Sequence, residues 1–138
     1  MAASSRYEAA TISEASHYRF LHDVGTCAVT GRSSERIEVA HRRDNVHAMN
    51  TVNPGMGRKP HFAWCLPMAA SEHAAQHKMG AAPYFLSRWW PVEDLERGPL
   101  AACLVLMGFS ALDDVEGAQR WIAHCTLERT ARRAKCVR

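Results

Sequence analysis

Apolar positions first recur at a helical spacing at His17, Tyr18, Phe20 and Leu21, which share one face of a short helix that Gly25 and Thr26 close. The period then drops towards two. Thr26-Cys27-Ala28-Val29-Thr30 reads as a strand, Gly31-Arg32-Ser33-Ser34 has turn composition, and Arg36-Ile37-Glu38-Val39-Ala40-His41 alternates as a second strand. The simplest arrangement is two short antiparallel strands joined by that turn. From Arg42 to Lys59 the chain is polar and broken by Asn53-Pro54-Gly55 and Gly57, a long irregular loop of the kind that is usually functional in a small domain. Phe62 to Pro67 reads as a brief extended piece halted by its proline. Met68 to Met79 is the best-marked helix, with Ser71 and Glu72 near its start, Lys78 in its last turn and Gly80 as its stop. Two further helices are expected. One runs from Val92 to Met107 with a break near Gly98-Pro99, the other from Asp113 to about Ala134, with Arg129, Arg132, Arg133, Lys135 and Arg138 along its tail. The small, polar residues up to about Thr11 predict a frayed N-terminus, and no internal repeat is visible.

Composition narrows the class. The 138 residues suit one compact domain, and 47% apolar against 22% charged residues is the balance of a folded chain. The longest apolar run, Leu100 to Leu112, is shorter than the roughly twenty residues that cross a membrane. The first thirty residues carry no apolar block of a secretory leader, so the expected setting is cytoplasmic. Five cysteines at irregular gaps, without a Cys-x-x-Cys pair, read as free thiols rather than a disulfide framework or a zinc ribbon. The formal charge of +3 matters only where cations gather. Arg32, Arg36, Arg42, Arg43, Arg58 and Lys59 do gather, beside Gly55 and Gly57, a density that phosphate contact explains better than a solvated face.

Three histidines stand out. His73 and His77, four apart on the marked helix, project from one face close enough to hold one divalent ion. Ala74 occupies the place of the glutamate that a zinc protease needs there, which disfavours that chemistry. His41 ends the second predicted strand and has the right acidity to deprotonate water. Gly55-Met56-Gly57-Arg58-Lys59-Pro60 lacks the order of a nucleotide-binding P-loop, so nucleotide hydrolysis has little support. Trp64, Trp89, Trp90, Phe85 and Tyr84 read most simply as packing aromatics, with base stacking the minority reading.

Taken together, these pieces resemble a family. Cys27-Ala28-Val29-Thr30-Gly31, Ile37-Glu38-Val39-Ala40-His41-Arg42, Gly55-Met56-Gly57-Arg58-Lys59-Pro60, Trp64-Cys65-Leu66-Pro67 and Glu72-His73-Ala74-Ala75-Gln76-His77-Lys78-Met79-Gly80 are similar in order and content to HNH-type phage and prophage nucleases, the group that includes the Ref recombination-associated nuclease. The resemblance covers roughly residues 17–89. It implies an α+β fold with an HNH-type ββα-metal core over 15–90, preceded by a flexible 1–14 and followed by a helical, basic extension over 91–138. It also implies a metal-dependent DNA endonuclease in which His41 is the general base, Gln76 orients a neighbour, and His73 and His77 hold a divalent ion (Mg, Mn, Ni or Zn). Arg42, Arg58 and Lys59 would contact DNA phosphates, and a recombination protein is the implied further partner, with no membrane involved.

Two positions depart from the family pattern. Ala40 stands where many such sites carry a ligating Asp or His directly before the base, and His61-Phe62-Ala63 stands where an Asp commonly follows the Lys-Pro pair. His61 supplies an imidazole near that second position and joins the ligand set on that ground. Two other readings stay open: a DNA-binding protein that has lost the chemistry, and an interaction module held together by structural zinc.

Overall fold

A computed structural model describes residues 12–41, 61–91 and 97–137. The expected frayed start up to residue 11, the loop over 42–59 and the first residues of the helix expected from Val92 lie outside them. The described residues form a small two-stranded antiparallel sheet surrounded by helices, an α+β arrangement.

Helix α1, Glu14–Val24, starts where the Ser13 hydroxyl accepts the Ser16 N–H at 3.0 Å and ends at Gly25 in the left-handed region (φ 62°). His17, Phe20, Leu21 and Val24, at the i, i+3, i+4, i+7 spacing, form its buried stripe. Strand β1, Ile37–His41, pairs antiparallel with β2, Cys65–Ala69, in the register Ile37 to Ala69 and His41 to Cys65. Four further helices follow: α2 Ala70–Met79, α3 Ala81–Ser87, α4 Pro99–Ala111 and α5 Val115–Val137. The core gathers Leu21, Leu66, Met68, Tyr84, Phe85 and Leu106, each fully buried, and so joins α1, the sheet, α3 and α4.

The sheet corrects the expected hairpin. Residues 26–30 are not the partner of β1; they close into a turn in which Gly31 N donates to Cys27 O at 2.8 Å and Cys27 N donates to Arg32 O at 2.9 Å. Those groups satisfy one another locally and cannot also form a ladder. The partner comes from the far side of the long loop. Pro67 does not halt that strand either. It lies opposite Val39, and its carbonyl accepts the Ala28 N–H at 2.8 Å, so both main-chain groups of residue 67 face away from β1 and the missing donor costs the ladder nothing. The strand takes Met68 and Ala69, and the helix begins at Ala70 instead of Met68. Helix α3, unexpected from the sequence, carries Pro83 in its first turn, where a proline's lack of an N–H is harmless.

Candidate functional site

The chain therefore runs strand, long connection, strand, helix, with the candidate residues at fixed places on that frame. Strand β1 supplies Glu38 and His41, and α2, which begins the residue after β2 and packs on both strands, supplies His73, Gln76 and His77.

His73 and His77 meet as their spacing predicts. Their Nε2 atoms stand 3.0 Å apart, with ring centroids 4.7 Å apart. Two imidazole nitrogens each about 2.1 Å from one ion, at an angle of about 90–109°, stand about 3.0–3.4 Å apart, so the pair has the bite of a chelating ligand. A residue that sequence reasoning passed over completes the arrangement. The Glu38 carboxylate accepts from His73 Nδ1 at 3.0 Å, and Arg36 Nη2 donates to its other oxygen at 2.7 Å. The hydrogen bond from His73, then the Arg36 guanidinium, hold the Glu38 carboxyl below the usual carboxylate range. A charged carboxylate only accepts, so His73 carries its proton on Nδ1 and presents the Nε2 lone pair towards His77. That lone pair accepts from His77 Nε2–H at 3.0 Å, and carboxylate, imidazole and Nε2 lone pair in that order are what orient a metal-binding histidine. The signal in the sequence was an acidic residue on a strand otherwise apolar or small, three positions before the candidate base.

His41 is held elsewhere. Its Nε2 lies 2.8 Å from the Tyr18 hydroxyl on α1, and that hydroxyl donates to Glu14 Oε1 at 2.7 Å. With the phenolic proton given to Glu14, the Tyr18 oxygen is left to accept from His41 Nε2. Side chains alternate along a strand, so Glu38 and His41, three apart, leave β1 on opposite sides, one towards α2 and the other towards α1. His73 and His77 are thus brought together, while His41 lies beside Tyr18. Among the described residues, no group of three or more His, Cys, Asp or Glu side chains lies close enough to share one ion.

The remaining candidates separate as well. His61 is exposed in a turn, where its Nδ1 accepts the Ala63 N–H at 3.0 Å and its ring stacks on Phe62 at 4.4 Å. Gln76, beside the histidine pair in sequence, is buried, and its Oε1 has no hydrogen-bond partner among the described residues. Arg42, Arg58 and Lys59 lie outside the described residues.

Glu72, next to His73, anchors a second polar group. Its Oε2 accepts from the Tyr84 hydroxyl at 2.8 Å and from Arg88 Nη2 at 2.8 Å and Nε at 3.2 Å. Burial, together with that carboxylate, pushes the Tyr84 hydroxyl well above its ordinary acidity range, and the Glu72 hydrogen bond pushes Arg88 up. This group locks α2 to α3. No helix of the described residues is long and apolar enough to cross a membrane. No family model, no curated protein and no solved structure matches the chain.

Proposed function

We propose that the protein is a metal-dependent endonuclease of the HNH type that hydrolyses DNA phosphodiester bonds. The observation that carries this reading is the Glu38, His73, His77 arrangement: two Nε2 atoms at chelating distance, one backed by a carboxylate, on a helix that directly follows an antiparallel pair whose first strand ends in His41. His73 and His77 would hold a divalent ion, Mg, Mn, Ni or Zn, which supplies charge stabilisation at the phosphate and the leaving oxygen. Glu38 keeps the His73 proton on Nδ1. His41, at the end of β1, takes a proton from water as general base, and the basic segment carrying Arg42, Arg58 and Lys59 binds the DNA backbone. Gln76, between the two histidines on α2, serves to orient a neighbour. A recombination protein is the partner that this activity suggests.

A second reading is favoured by one specific observation, the departure of Glu38 and His41 from opposite sides of β1. It is a DNA-binding protein that keeps the histidine pair without cutting. Plasmid nicking across Mg²⁺, Mn²⁺, Ni²⁺ and Zn²⁺ separates the two. The nuclease reading expects ion-dependent nicking that His41→Ala abolishes while DNA binding persists, and that His77→Ala weakens together with ion affinity, by about tenfold or more. Binding without cutting at every ion favours the second reading, and nicking unchanged by His77→Ala removes the histidine pair from the chemistry.

A further inference from the structure

A second site, distinct from the histidines, lies between the 29–32 turn, the end of α3 and the outer face of α5. There a cleft of about 360 Å³ is lined by Arg32, Arg88, Arg129 and Arg133, with Glu72 as the one carboxylate of its lining. Glu72 is already engaged by Arg88 and Tyr84. Arg129 is buried, and its Nη2 donates to the Ala28 and Val29 carbonyls at 3.0 Å each, so it builds the floor of the cleft. Arg32 and Arg133 are exposed and form no ion pair among the described residues, so two planar, five-donor cations stand at the rim. Four guanidiniums against one carboxylate is a surplus that repels cations and attracts a polyanion.

The same rim carries Trp89. It is 39% exposed and takes φ 61°, a left-handed conformation that a bulky residue adopts only at a cost. The reversal sends the next residue, Trp90, inward beneath the Arg129 guanidinium at 4.3 Å and keeps the Trp89 ring at the mouth of the cleft. An exposed indole beside exposed arginines is the pairing that holds unstacked bases and their phosphates.

We propose that this cleft binds single-stranded nucleic acid, with phosphates on Arg32 and Arg133 and a base stacked on Trp89. The proposal shares the nucleic-acid ligand with the function proposed above but does not depend on hydrolysis. The test is fluorescence anisotropy of a labelled oligothymidylate of about twelve nucleotides, titrated at several salt concentrations with the full-length protein. Reversing both rim charges, Arg32→Glu with Arg133→Glu, should weaken binding by roughly tenfold or more and lower the slope of log affinity against log salt by about 1.4, the amount for two phosphate contacts to a single strand. Trp89→Ala should weaken binding at least several-fold and leave that slope unchanged, because stacking releases no counterions. Both changes are at exposed positions, and unchanged circular dichroism establishes that the variants fold. Unaltered affinity in the double reversal, or no binding by the wild-type chain, overturns the cleft; unaltered affinity in Trp89→Ala removes the stacking contact. Nicking measured on the same samples keeps the two proposals apart. Binding lost in the double variant with no nicking by the wild-type sinks only hydrolysis, and nicking with rim-independent binding sinks only the cleft.

Discussion

His17 is a buried base with half of its hydrogen-bonding capacity unmet. Its Nδ1 meets the Ser110 hydroxyl at 2.9 Å, while Nε2 is buried without a partner among the described residues. Burial, and secondarily the charge of His61, lower its pKa from 6.5 to about 4. The unfolded chain therefore binds a proton that the folded chain refuses between those values. The contribution of His17 is fully present above pH 6.5 and is lost as the pH falls towards 4. Between about pH 7 and about pH 4.5 this single residue should remove about 2 kcal/mol of stability. Urea midpoints at the two pH values check it: His17→Gln should be less stable at neutral pH but lose less on acidification, and an equal acid loss in both proteins would show that the sensitivity lies elsewhere. Glu38 shows how far single residues were legible. Its charge and its place on an alternating strand were visible in the sequence, but its contact with His73 joins residues thirty-five apart and depends on β2 delivering α2 to β1.

At the level of elements, two glycines that look alike in sequence behave in opposite ways. Gly31 has φ 72°, and a Cβ there would lie 3.0 Å from Thr126 Oγ1 on α5, so Gly31→Ala meets both backbone strain and a crowded neighbour. Gly108 lies within α4, and a Cβ there would meet nothing within 4 Å. Gly31→Ala should cost about 2 kcal/mol, whereas Gly108→Ala should stabilise by up to about 1 kcal/mol, because alanine loses less backbone freedom in a helix. Denaturant midpoints at unchanged m-value read both, and a shared sign would contradict the assignment of one to a left-handed turn and the other to a helix interior. The helices were the legible elements. Helical spacing and end signals located α1 and the body of α2, since a stripe and a cap are local properties, and α4 and α5 overlap the stretches expected over 92–107 and 113–134. Strand pairing was not. Residues 26–30 and 62–67 both read as short extended segments, and the choice between them turns on which main-chain groups the 27–32 turn has already consumed.

For the whole molecule, Arg129 is the residue that joins distant parts. From α5 it donates to two carbonyls of the 27–32 turn and lies over Trp90, and burial lowers its tendency to stay charged. Removing it strands buried carbonyls about a hundred positions away in sequence. Arg129→Ala should therefore cost about 3 kcal/mol and lower Tm by about 10 °C, read by thermal unfolding; a loss below about 1 kcal/mol would mean that the turn holds without α5. In the sequence Arg129 was one cation of a basic tail, with nothing to distinguish it from Arg132 or Arg133. The helical spacing that puts His73 beside His77 and the stripe of α1 follow from the sequence alone, because each is set by contacts within a few residues. Tertiary structure decided the rest: the partner of β1, the carboxylate behind His73, the separate placement of His41 beside Tyr18, and the arginine cleft at α5. Each of these depends on which surfaces meet after the long connection closes, and that is a competition among burial and main-chain hydrogen bonds over the whole chain.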